Sequence, residues 1–177
     1  RLNADLEIYA KRTTDMLMEV PKSYAESNGY GYVWDNVGAM VNGGVELNMT
    51  ATVISYKDFN WSLNANVGYN LNRIVELYNG VNEYETANTN TKLVVGHPLG
   101  EFYINRFAGV NPANGDALWY DKEGNLTNML RDEDRVLIGK SFHAPWQGGF
   151  GTALSWKGLS LSAQFGWVGD RWMINND

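Results

Sequence analysis

The 177-residue chain contains no cysteine, which excludes a disulfide framework and thiolate metal sites. Reducing and oxidising compartments both remain open to it. Lys and Arg number 14 against 20 Asp and Glu, a formal net charge of −6. No basic patch is present to neutralise phosphates, so nucleic acid is excluded as a partner. No apolar run approaches the roughly 20 residues of a membrane-spanning helix. That leaves β-barrels untouched, because their strands are only about 9–11 residues long and only alternately apolar. No helix of useful length is predicted anywhere.

What is present is apolar, aromatic and amide-rich. The chain holds 7 Trp, 10 Tyr and 21 Asn, and its clearest stretches alternate strictly. In "WSLNANVGYNLN" (61–72), Trp61, Leu63, Ala65, Val67, Tyr69 and Leu71 share one face, while Ser62, Asn64, Asn66, Gly68, Asn70 and Asn72 share the other. Alternation of this kind marks a half-buried strand. Its polar face is unusual for one open to solvent, since it carries amides, a hydroxyl and glycine but no charge.

The same period recurs along the chain. "GGVELNMTATVISY" (43–56) places Val45, Leu47, Met49, Ala51 and Val53 on one face, and the short break Lys57-Asp58 makes 43–72 a β-hairpin. "FGTALSW" (150–156), the turn Lys157-Gly158 and "LSLSAQFGWVG" (159–169) form another. A strand is expected over 5–20, closed by Pro21. A Gly/Tyr/Asn-rich loop is expected over 22–36, a long polar loop over 81–92 and a hairpin over 100–121. Short turns and long loops fall at opposite ends, as in outer-membrane barrels.

Two architectures share this pattern. In a soluble extracellular β-sandwich, such as a carbohydrate-binding module, the apolar face packs on a second sheet. In an antiparallel transmembrane β-barrel it meets lipid, and the polar face lines the lumen. The aromatics favour the barrel. Tyr56, Trp61 and Trp156 flank the short turns, whereas Tyr69 and Trp167 lie at the far ends of their strands. Eight residues of strand tilted by about 40° span roughly 20 Å, near the ~25 Å apolar band between aromatic girdles.

Five ordered blocks strengthen that choice: "YAKRTTDMLMEVP" (9–21), "NVGAMVNGGVEL" (36–47), "WSLNANVGYNLNRIVEL" (61–77), "GHPLGEFYINRFAGVNPANGDALWYDKEGN" (96–125) and "IGKSFHAPWQGGFGTALSWKGLSLSAQFGW" (138–167). Together they resemble the C-terminal barrel segment of the SusC/RagA family of TonB-dependent outer-membrane transporters of Bacteroidetes. The resemblance implies a plugged barrel of about 22 strands in the bacterial outer membrane. It also implies a SusD-like lipoprotein closing over the barrel, and uptake of oligosaccharides or peptides driven through the TonB complex. On this reading residues 1–177 are the C-terminal part of the barrel domain, with roughly six to eight of its strands. The plug and TonB-contacting region belong to a longer polypeptide. A non-transporting surface β-protein is the weakest alternative.

The remaining chemical candidates read as structural. His97 and His143 stand far apart in sequence, and no nucleophile elbow or catalytic constellation is recognisable; neither an enzyme nor a cofactor is expected. "DKEGN" (121–125) departs from the ligand spacing of an acidic calcium loop found in many relatives, so no metal site is expected. The run "RDEDR" (131–135) reads as a solvated loop with internal ion pairs. The aromatics Tyr30, Tyr32, Trp34, Trp119 and Tyr120 are candidates for contact with substrate or lid, because flat rings beside amides suit such ligands.

Overall fold

The computed structural model describes residues 1–85 and 90–175. Twelve strands follow in chain order: β1 (Leu2–Pro21), β2 (Tyr32–Tyr56), β3 (Phe59–Glu76), β4 (Glu83–Glu85), β5 (Lys92–Val94), β6 (Glu101–Ile104), β7 (Arg106–Val110), β8 (Ala117–Tyr120), β9 (Leu126–Thr127), β10 (Val136–Ser141), β11 (Trp146–Trp156) and β12 (Leu159–Gly169). Among the described residues helix is confined to two single 3-10 turns, Tyr78–Gly80 and Asp132–Asp134.

The long strands form one curled, wholly antiparallel sheet in the order β1-β2-β3-β11-β12. Strands β11 and β12 have 11 residues each, the length of a tilted membrane crossing. The 25 residues of β2 extend about 80 Å, so the β1–β2 hairpin projects far beyond the band its neighbours span. Both tight turns lie at one end, where the Lys157 amide donates to the Asp58 carbonyl at 3.2 Å. Lys157 and Gly158 both have positive φ, 47° and 85°, the backbone of a two-residue hairpin turn that follows strand twist.

The opposite end carries the long excursions. Between β3 and β11 the chain leaves the sheet for residues 77–145 and builds three small sheets, β4-β5, β6-β10 and β7-β8-β9. The apolar cluster lies here, with Ile74 and Leu77 buried against Val81, Tyr84, Leu93, Val95 and Leu99.

Several expectations are corrected. The barrel sheet has five strands rather than six to eight, because 100–121 belongs to the excursion. Within that stretch only β7 and β8 form the hairpin, whereas β6 pairs with β10. The loop over 22–36 ends early, since Tyr32 and Trp34 lie in β2 opposite Pro21 and Glu19. The loop over 81–92 contains β4 and β5 paired with each other, and residues 86–89 lie outside the described residues. In β2 a register shift at Val53 brings Ile54 opposite Trp61 and Tyr56 opposite Phe59. The bulge carries Tyr56 onto the aromatic face, which strict alternation would have denied it.

The sandwich alternative needs a covered apolar face. Leu6, Ile8, Leu161 and Phe165 of this sheet are instead 65%, 74%, 68% and 54% exposed.

Candidate functional site: a two-faced wall and its mouth

Cross-strand register sorts the wall into two surfaces. The row Tyr56, Phe59, Trp156 and Leu159 runs along the short-turn end of the apolar face. The row Ile8, Val45, Tyr69, Trp146 and Gly169 runs along the other end. Every outward residue between these rows is uncharged among the described residues. Trp61 stands one pair inside the lower row, and its indole N–H donates to the Thr152 hydroxyl at 2.9 Å, so the indole hydrogen is not stranded in the band. Trp167 stands one pair inside the upper row against Gly148. The Tyr69 and Trp146 rings pack at 4.4 Å, tilted by 41°.

All five aromatics expected to flank the band therefore lie on this face, at its two ends. Phe59 and Trp146 join them and were missed. Both continue the alternation outward, Phe59 past Trp61 and Trp146 past Gly148, at positions beside turn residues where the pattern was cut short.

The polar face carries a trough of about 510 Å³ lined by Glu46, Asn48, Asn66, Gly68, Gln147 and Gly166. Below it Asn64 and Gln164 pair amide to amide across β11, which places Gly151 between them. Above it a cavity of about 620 Å³ opens between the sheet end, at Asn42, Asn70 and Gln147, and the segment around Lys140 and His143. Gln147 and Val168 line both spaces, so trough and cavity adjoin. The Asn70 Oδ1 is buried with no hydrogen-bond partner among the described residues.

At the mouth Lys140 Nζ lies 3.3 Å from the Asp170 carboxylate and 4.6 Å above the Trp172 ring. The Trp172 indole N–H donates to Asp170 at 2.7 Å. That bond, and then Lys140, hold the Asp170 carboxyl below its usual range. Arg171 also lines the cavity, so both signs of charge meet at the entrance.

The loop aromatics occupy two separate places. Tyr30 and Tyr32 stand 6.5 Å apart near the tip of the β1–β2 hairpin, with Trp34 two residues along β2, and all three are exposed. Trp119 is half-buried against Phe107 at 5.3 Å, and Tyr120 lies under Arg106 at 5.4 Å. No ring contact joins the two groups among the described residues.

His97 has a structural partner: its Nδ1 is 2.8 Å from Glu101, whose buried carboxylate also accepts the Gly139 amide at 2.9 Å. His143 packs on Phe142. The run 131–135 is only partly the solvated loop expected of it. Arg131 and Glu133 pair internally at 3.5 Å. Asp134, however, is buried and accepts the Lys122 amide at 3.2 Å. Arg135 leaves the run to reach Glu85 and donates to the Tyr103 carbonyl through Nε and a terminal nitrogen at 3.1 and 2.8 Å.

The chain has counterparts among known proteins. The chain is 38% identical to a chain of the RagAB peptide transporter structure, with a TM-score of 0.90, covering 99% of this chain and 20% of that one. It is 28% identical over 141 residues to the TonB-dependent receptor SusC of Bacteroides thetaiotaomicron, covering 72% of this chain and 14% of SusC. The chain belongs to the SusC/RagA type of TonB-dependent receptor. A TonB-dependent receptor of Formosa agariphila is 26% identical over 185 residues, covering 93% of this chain and 18% of its own length. The SusC/RagA-type segment thus spans about a fifth or less of the relatives it matches. No family model matches it.

Proposed function

We propose that this segment is part of the wall and mouth of an outer-membrane receptor that takes up oligosaccharides or peptides, driven through TonB and working with a SusD-like surface lipoprotein. One observation carries the reading. Between its two aromatic rows the outward face is uncharged on all five long strands, while amides and the carboxylates of Asp5, Glu7 and Glu46 look inward. Lipid tolerates the first surface, and a wet lumen suits the second. The rows containing Tyr56, Trp61 and Trp156 and those containing Tyr69 and Trp167 are then the two interfacial girdles.

Substrate enters past the mouth cavity, where Asn70 presents an acceptor in need of a donor. The exposed rings of Tyr30, Tyr32 and Trp34, and those of Trp119 and Tyr120, serve contact with substrate or lid. Peptide is the favoured cargo. The RagAB structure is named a peptide transporter, and this chain is closer to it in identity than to SusC, 38% against 28%. Lys140, Asp170 and Arg171 also offer both charges, for which a neutral sugar chain has no use.

The test uses the full-length receptor in its native host. It should sediment with outer membranes, change gel mobility on heating, and support accumulation of labelled oligopeptides. A soluble, monomeric, cooperatively folding product of these 177 residues overturns the membrane reading.

A further inference from the structure

Just beyond the upper aromatic row the outward face acquires charge of one sign. Arg12 of β1 and Arg73 of β3 both pair with Val41 of β2, so the three residues form a single cross-strand row. The next row toward the band is Ala10, Gly43 and Leu71, and the one after it contains Ile8 and Tyr69. Side chains two apart on a strand share a face. Both arginines therefore stand on the Ile8 and Leu71 side, away from Asn42 and Asn72.

Their height is informative. Four residues separate Arg73 from Tyr69, which at about 3.4 Å per residue and a ~40° tilt is roughly 10 Å above the girdle, at headgroup level. Their spacing is informative too. Two strand intervals of about 4.8 Å place the arginine backbones roughly 10 Å apart, so two flexible side chains can close on one anionic headgroup. Both are exposed. Neither guanidinium makes a hydrogen bond or ion pair with any described residue. The nearest acids farther along these strands, Asp15 and Glu76, pair with neither arginine. The cations at the other rim are differently placed, since Lys57 and Lys157 lie over the Tyr56 and Trp156 rings beside the tight turns.

We infer that Arg12 and Arg73 form a binding site for the phosphate groups of outer-leaflet glycolipid, whose acyl chains lie along Ile8, Ala10 and Leu71. Guanidinium matches phosphate in a planar, bidentate geometry that a lysine cannot reproduce. The long loops mark this end as the outer one, and the outer leaflet of a bacterial outer membrane is built of phosphorylated glycolipid. The inference rests on the membrane reading given above.

The test takes the full-length receptor and its Arg12→Gln/Arg73→Gln variant, each first shown to sediment with outer membranes and to retain heat-modifiable mobility. Failure at that step in the native receptor strikes the membrane reading itself. Both proteins, in phosphatidylcholine nanodiscs, are then titrated with phosphorylated lipid A, dephosphorylated lipid A and phosphatidylglycerol, and bound lipid is counted by native mass spectrometry. Phosphorylated lipid A should bind the native receptor at least about tenfold more tightly than the variant, the loss of charge-assisted hydrogen bonds. Dephosphorylated lipid A should bind both equally weakly. Equal binding of phosphorylated lipid A to both proteins overturns the site. Phosphatidylglycerol binding as tightly as lipid A overturns the glycolipid assignment. An Arg12→Lys/Arg73→Lys variant should recover only part of the affinity, and full recovery overturns the bidentate geometry.

Discussion

Asn64 and Gln164 exchange hydrogen bonds across the strand that separates them, at 3.4 and 3.2 Å. Gly151 makes this reach possible, for a Cβ there meets the Gln164 amide. The amide is the end of a flexible side chain and can swing aside. A Cβ at Gly148 instead meets the Asn66 carbonyl oxygen at 2.5 Å and the Trp167 indole at 2.7 Å, and backbone does not yield so cheaply. Gly151→Ala should therefore cost about 1 kcal/mol, the worth of the amide pair. Gly148→Ala should cost about 1–3 kcal/mol through overpacking. The two are compared by the temperature at which heat-modifiable mobility is lost. A larger effect at Gly151 contradicts the ranking.

Neighbouring residues of β3 should respond oppositely to one added charge. Ala65 lies midway between the aromatic rows on the outward face, and Asn66 on the inward one. Ala65→Lys places an ammonium near the middle of the apolar band, at about 2–4 kcal/mol, and should reduce the assembled receptor in outer-membrane fractions. Asn66→Lys points toward Glu46 across the trough they both line and should assemble normally. Equal tolerance of both means that the outward face does not meet lipid, and the opposite pattern means that the faces are reversed.

The legible parts of this chain are those where one physical constraint acts at every second residue. Strands β3, β11 and β12 read out of the sequence because lipid and lumen sort their side chains strictly, and nothing else competes. The pairing of β3 with β11 was not legible. Residues 77–145 intervene, and no local feature says that the chain returns to the same neighbour. The small strands β4 to β10 are too short to show a period, so 81–92 looked like loop and 100–121 like one hairpin. The mouth cavity was equally hidden. Asn70 and Asn42 were visible as polar-face residues, but their meeting with Lys140 depends on the fold of the whole excursion.

Arg135 should hold that excursion together more than its place in a charged run implies. It donates twice to the Tyr103 carbonyl, pairs with Glu85, and lies 4.8 Å above the Tyr103 ring, which Lys92 also approaches at 4.8 Å. Arg135→Ala should loosen the contacts among β4, β5 and β6 by about 1–3 kcal/mol. Hydrogen exchange should quicken there while β11 and β12 stay protected. Arg135→Lys should restore little, because one ammonium cannot make the paired bonds to the carbonyl and also reach Glu85. Full rescue by lysine means that charge alone suffices.

The β8–β9 turn should be sensitive to acid. Asp121 accepts the Asn125 side-chain amide at 3.0 Å and the Asn125 backbone amide at 2.7 Å, and these bonds hold its carboxyl below the usual range. A carboxylate whose pKa is lower in the folded turn contributes fully above its unfolded-state value. The contribution is lost as pH falls through the folded-state value. Exchange at the Asn125 amide should therefore be slow, after correction for intrinsic rates, down to about pH 4 and quicken below it. Asp121→Asn removes the titrating group. In that variant the corrected protection should be lower at neutral pH and flat across the same range. A variant that keeps the acid transition assigns it to another group.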